Sequence, residues 1–185
     1  DRPEKIKLQL PAEVRMERAP SGATLNQMLL DGDIEGFVGP RALPCFIEGH
    51  PDVGRLYADP QAAAEAYYGR TKIFPIMHVL GVRRELAEQY PFLPGALLKA
   101  FTEAKTMALG ALLDVSATKV TMPFVEESLG RARGLMGEDF WSYGFKPNTH
   151  VLDTFLDAHH KQGLSSRRLQ PEDLFHPATL ETYAL

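Results

Sequence analysis

Arg41 and His78 are the residues whose type and setting best fit chemistry on a small anion. Arg41 directly follows Phe37-Val38-Gly39-Pro40, where an apolar stretch ends. A guanidinium presents a planar fork that takes a carboxylate through two parallel hydrogen bonds. The competing structural reading is a loop arginine in a surface ion pair. His78 lies inside Ile73-Phe74-Pro75-Ile76-Met77-His78-Val79-Leu80-Gly81-Val82, the most apolar stretch of the chain. An imidazole buried there needs a hydrogen-bond partner for each ring nitrogen. Imidazole also changes charge near neutral pH, so it can donate or accept a proton in a reaction. The competing reading is a satisfied core histidine joining two segments.

A second group sits just upstream. Tyr67, Tyr68, Arg70, Thr71 and Lys72 separate an alanine-rich stretch from the apolar one. They either line a cleft or form an exposed turn. Cys45 has no neighbour in sequence that would lower its pKa, so a nucleophilic role has no support. His159 and His160 invite a metal reading, but adjacent residues on a helix point about 100° apart and do not chelate one ion together. No metal and no cofactor is expected. No glycine pattern of a nucleotide loop follows a strand, and no G-x-S-x-G elbow occurs. The aromatic run Asp139-Phe140-Trp141-Ser142-Tyr143-Gly144-Phe145 either walls a cleft or packs a helix junction.

These groups must be carried by elements, and the sequence predicts an α/β order. Val14–Arg18 alternates with period two and reads as a strand. Leu25, Met28, Leu29 and Leu30 predict a helix capped by Thr24 or Ser21 and stopped by Gly32. Ile34–Gly39 reads as a second strand, and a crossover of this length predicts parallel pairing. Arg41 then stands at the mouth of a parallel strand, where α/β proteins place ligands. Pro40, Pro44, Pro51 and Pro60 argue against a regular element between 40 and 60. Residues 60–69 predict a short helix and Ile73–Val82 a buried strand. Beyond Val82 only helices are predicted, over 85–90, 94–113, 118–136, 148–162 and 171–175. So few strands beside so many helices leave sheet edges that need partners, which predicts a homo-oligomer or a missing N-terminal segment.

Composition narrows the function. Hydrophobic residues make up 44% and charged residues 24%, which is ordinary for a globular chain. Lys and Arg number 20 against 24 Asp and Glu, a net charge of -4, so no basic excess marks a nucleic-acid groove. No apolar run is long enough to span a bilayer. A single cysteine excludes an intrachain disulfide framework.

Several segments, in order, resemble the 4,5-dihydroxyphthalate decarboxylase family. They are Met28-Leu29-Leu30-Asp31-Gly32-Asp33-Ile34-Glu35-Gly36, Gly39-Pro40-Arg41, and Tyr68-Gly69-Arg70-Thr71-Lys72-Ile73-Phe74-Pro75-Ile76-Met77-His78. Gly137-Glu138-Asp139-Phe140-Trp141-Ser142-Tyr143-Gly144, Asn148, Leu152, Phe155, Gln162-Gly163-Leu164 and Leu169-Gln170-Pro171-Glu172-Asp173-Leu174-Phe175 continue the resemblance. It implies a partial type II periplasmic-binding-protein-like fold. Residues 1–72 would belong to the second α/β lobe, and residues 73–185 would be a crossover strand with helices returning to the first. It implies loss of CO₂ from a hydroxylated aromatic carboxylate in the cytoplasm. His78 would be the proton donor and Arg41 the carboxylate anchor, with Arg70, Tyr67, Tyr68 and Thr71 contacting the substrate. The alternative is a periplasmic solute-binding protein that holds a small anionic aromatic or sulfonate ligand without catalysis.

Overall fold

The computed structural model describes residues 8–116 and 119–181. The expected sheet is not there: among the described residues no β-strand forms, and the elements are helical. This overturns the α/β class and, with it, the periplasmic-binding-protein-like two-lobe fold. Val14–Arg18, Ile34–Gly39 and Ile73–Val82 are all irregular. Many of their apolar side chains are exposed, from Ile76 at 39% to Val38 with none of its surface covered. Period-two alternation and β-branched residues are local properties, whereas a strand exists only when a distant segment completes its ladder. No described segment does so here.

The helices fall largely where the sequence places them. The first, α1 (Leu25–Asp31), starts at Thr24, whose Oγ1 accepts from the Gln27 N–H at 3.1 Å. It stops at Gly32, in the left-handed region at φ 78°. A short α2 (Pro44–Ile47) forms inside the proline-rich stretch expected to be irregular. Pro44 opens the helix, where its missing N–H costs nothing. Next come α3 (Pro60–Thr71), α4 (Arg84–Gln89) and α5 (Leu93–Leu113). The helix expected from 118 begins only at Val125, as α6 (Val125–Met136). Phe124, at φ 61° in the left-handed region, breaks the helical backbone immediately before that start. Last is α7 (Thr149–Lys161), flanked by 3₁₀ turns at Lys146–Asn148, Pro171–Leu174 and Pro177–Thr179.

The chain divides into two compact units, with α3 running across the division. One unit is Ala12–Ala64, in which α1 packs on α2. Cys45 is its buried side chain, and its N–H donates to Asn26 Oδ1 at 2.9 Å. Asn26 thus ties one helix to the N-terminal turn of the next.

The other unit takes the chain from Glu65 onward together with the described residues before Ala12. Its apolar centre lies on α7. Leu152 and Leu156, one turn apart on one face, are buried with Phe145. The Phe145 ring meets Phe175 edge-on at 5.6 Å. Phe155 shares the helical spacing but points outward, 58% exposed. On the outer face Arg168 binds Asp153 at 2.6 Å and Asp157 at 3.6 Å. Lys161 binds Asp157 at 2.7 Å and, with Arg168, holds that carboxyl below its ordinary range.

The first described residues dock on this unit through a glycine. The Gln9 N–H donates to the Gly163 carbonyl at 3.0 Å. Gly163 has φ +75°, and a Cβ there would collide with the Gln9 carbonyl oxygen. Both the backbone conformation and the close approach require glycine. Gly163→Ala is expected to destabilise the chain by about 1–3 kcal/mol. Urea unfolding followed by circular dichroism measures it; an unchanged midpoint would show that the arm does not depend on this contact.

Candidate functional site

The residues with the strongest chemical character in the larger unit gather where the end of α3 meets the segment before α7. Alanines carry α3 to Tyr67-Tyr68-Gly69-Arg70-Thr71, and Thr71 closes the helix. Its hydroxyl donates to the Tyr67 carbonyl at 2.8 Å and accepts from the Ile73 N–H at 3.1 Å. The Lys72 N–H donates to the Tyr68 carbonyl at 2.8 Å. The Lys72 ammonium lies over the Tyr68 ring, 5.2 Å from its centroid. Arg70 folds back along its own helix, Nη1 donating to the Ala66 carbonyl at 3.2 Å.

Two contacts hold this stretch against the later part of the chain. His150, in the first turn of α7, donates from Nε2 to the Thr71 carbonyl at 3.0 Å. A carbonyl only accepts, so this bond places a proton on Nε2 and leaves Nδ1 for another role. Three residues on, the Phe74 ring packs against Trp141 with centroids 5.7 Å apart.

Trp141 is itself clamped. Lys105 of α5 donates to Asp139 Oδ1 at 2.6 Å and to the Trp141 carbonyl at 3.2 Å. Its ammonium also stands 5.2 Å from the Tyr143 ring centroid. Only 12% of the Lys105 side chain is exposed. A lysine so covered needs a carboxylate and further acceptors, and here it has both. Asn148 completes the loop, donating from Nδ2 to the carbonyls of Ser142 at 3.1 Å and Gly144 at 2.8 Å. Lys105 and Asn148, both outside the aromatic run, thus help to fix it.

The expected site residues divide among these surroundings. Tyr68 and Thr71 belong to the gathered cluster. Tyr67 is exposed beside it, and Arg70 gives one of its guanidinium N–H groups to its own helix. His78 lies in the irregular Ile73–Val82 stretch and is exposed, so the buried strand setting expected for it does not form. Arg41 belongs to the Ala12–Ala64 unit, exposed and outside any regular element. His159 and His160 do not converge: His159 meets the Phe155 ring at 5.6 Å, while His160 Nδ1 donates to the Ser165 carbonyl at 3.1 Å. No three His, Cys, Asp or Glu side chains group as metal ligands among the described residues.

Lys105 and His150 are the members to which the sequence assigns no place in this cluster. Lys105 left one signal, a cation on a helix otherwise rich in alanine and leucine. His150 left none, because its partner is a backbone carbonyl 79 residues away.

Both compared relatives carry one name. The chain is similar to 4,5-dihydroxyphthalate decarboxylase. The protein of that name from Comamonas testosteroni is 59% identical over 182 residues, 98% of this chain and 55% of the relative. The one from Pseudomonas putida is 52% identical over 65 residues, 35% of this chain and 25% of the relative. The chain thus spans about half the length of the first of these. No family model matches it. The similarity agrees with the resemblance read from the ordered segments, while the sheet-containing fold attached to that resemblance is overturned by the helical structure. No described helix is long and apolar enough to cross a membrane.

Proposed function

We propose that this chain acts in removing CO₂ from 4,5-dihydroxyphthalate or a close hydroxylated aromatic carboxylate, by protonating the ring. The observation that carries this reading is the 59% identity to a decarboxylase of that name over 98% of the chain. The gathered phenol, ammonium and imidazole groups support it, because the substrate is a dianion bearing two phenolic hydroxyls.

The chemistry sets the requirements. Direct loss of CO₂ from a ring carboxylate would leave an electron pair in the ring plane. A hydroxyl para to that carboxylate offers another route. As its proton leaves, its electrons pass through the ring and the carbon bearing the carboxylate accepts a proton. The carbon–carboxylate bond then breaks, its electron pair returns to the ring, and CO₂ departs. The phenolate regains a proton, and a dihydroxybenzoate remains. The protein must supply an acid at that carbon, cations for the carboxylates and an acceptor for the phenolic proton.

In this reading His78 is the acid and Arg41 anchors a carboxylate. Tyr67, Tyr68 and Thr71 contact the substrate, with Arg70 a weaker contributor because its guanidinium is partly engaged. The reaction belongs to the cytoplasm, where a soluble catabolic enzyme would meet its substrate.

The test is CO₂ release from 4,5-dihydroxyphthalate by the purified chain, with loss of substrate and appearance of a dihydroxybenzoate followed together. Release in stoichiometric amounts is expected. Binding of the dianion with no release would leave a binding protein in place of an enzyme.

A further inference from the structure

At the end of α3, two residues sit where the backbone would favour something else. Gly69 lies within the helix with open space where a Cβ would stand, so alanine would fit and stiffen it. Lys72 lies just past the helix at φ 56°, the left-handed position helices commonly give to glycine. A long charged side chain at such a position is strained, and backbone strain is concentrated at sites of binding and catalysis.

The charge at this position is also free of a carboxylate. Lys99, Lys105, Lys146 and Lys161 each rest on an acidic side chain. Among the described residues Lys72 and Lys119 have no such partner, and the Lys72 ammonium rests on the face of Tyr68. An aromatic face orients an ammonium without neutralising it. The strand of chain around it is held from both sides, by His150 on the Thr71 carbonyl and by Trp141 on Phe74.

We propose that Lys72 is a substrate-anchoring residue. Its ammonium, aimed by the left-handed backbone and the Tyr68 ring, takes one carboxylate of an aromatic dicarboxylate. This rests on the reading of the chain as acting on such a substrate. The strain at Lys72 is then the cost of presenting a fixed, unneutralised cation.

Phthalate is the probe, because it carries both carboxylates but lacks the hydroxyls that permit the reaction. Binding is followed by calorimetry and by the emission of Trp141, the single tryptophan of the chain. Lys72→Gly should raise the phthalate Kd at least tenfold while raising Tm by a few degrees, since glycine relieves the backbone. Lys72→Asn should weaken binding likewise, and Lys72→Arg should keep most of it. An unchanged Kd in the glycine variant would overturn the assignment, leaving Lys72 as a strained cap. So would a weaker Kd accompanied by a lower Tm in both neutral variants, which would make its role structural. Failure of the unmodified chain to bind phthalate at millimolar concentration would also overturn it. If phthalate binds through Lys72 but 4,5-dihydroxyphthalate releases no CO₂, the anchor stands and the decarboxylase reading falls.

Discussion

Replacing His78 with Asn should lower the turnover of 4,5-dihydroxyphthalate by about 10²–10⁴-fold, the usual worth of general acid–base catalysis. The amide keeps part of the hydrogen-bonding capacity but cannot deliver a proton. The loss should therefore fall on kcat, with KM changed less than threefold. His78 is exposed in a stretch without regular structure, so its replacement disturbs no packing and Tm should stay within a degree or two. The pH profile adds a second reading, because the limb governed by the acid should disappear in the variant. Unchanged kcat would remove His78 from the reaction and direct attention to His150. That imidazole is joined through Nε2 to the Thr71 carbonyl and has Nδ1 available.

Arg41 should show the opposite division. Arg41→Ala is expected to raise KM by about 10–100-fold, the scale of one charge-assisted, two-point contact with a carboxylate. Arg41→Lys should recover only part of this, because an ammonium cannot reproduce the planar fork. Arg41 is exposed outside any helix, so neither variant should alter Tm. Equal KM values for unmodified chain and both variants would assign Arg41 to the solvent.

The helices were legible because their signals are local. Thr24 caps α1 and Gly32 ends it as expected, and the alanines of α3 and the apolar spacing of α5 and α7 lie within single segments. The strands were misread for the converse reason. Ile73–Val82 has the composition of a buried strand, but nothing in those ten residues states whether another segment lies alongside. Pro44 shows the same limit on a smaller scale, since a proline excludes a helix interior but favours its first turn. At the site, Tyr68, Thr71 and the aromatic run were visible by residue type. The fixing contacts were not, because Lys105 reaches 34 residues along the chain to Asp139. Such pairings follow from the path of the backbone.

The uncovered Ile73–Val82 stretch also has a colloidal side. Met77, Val79 and Leu80 are each at least 60% exposed, and no backbone hydrogen bond among the described residues reaches residues 74–82. Ile76 to Val82 carries no formal charge with histidine neutral and no proline, the sequence character of segments that stack into cross-β fibrils. Lys72 and Pro75 before it, and Arg83 and Arg84 after it, are gatekeepers that repel or interrupt such stacking. Three of these four guards are cations, so their protection weakens as ionic strength rises. Added salt should therefore shorten the lag before turbidity in concentrated solutions, and polyanions should do so at far lower concentration. Shelf life in the test tube is thereby linked to the same basic residues that flank the proposed proton donor.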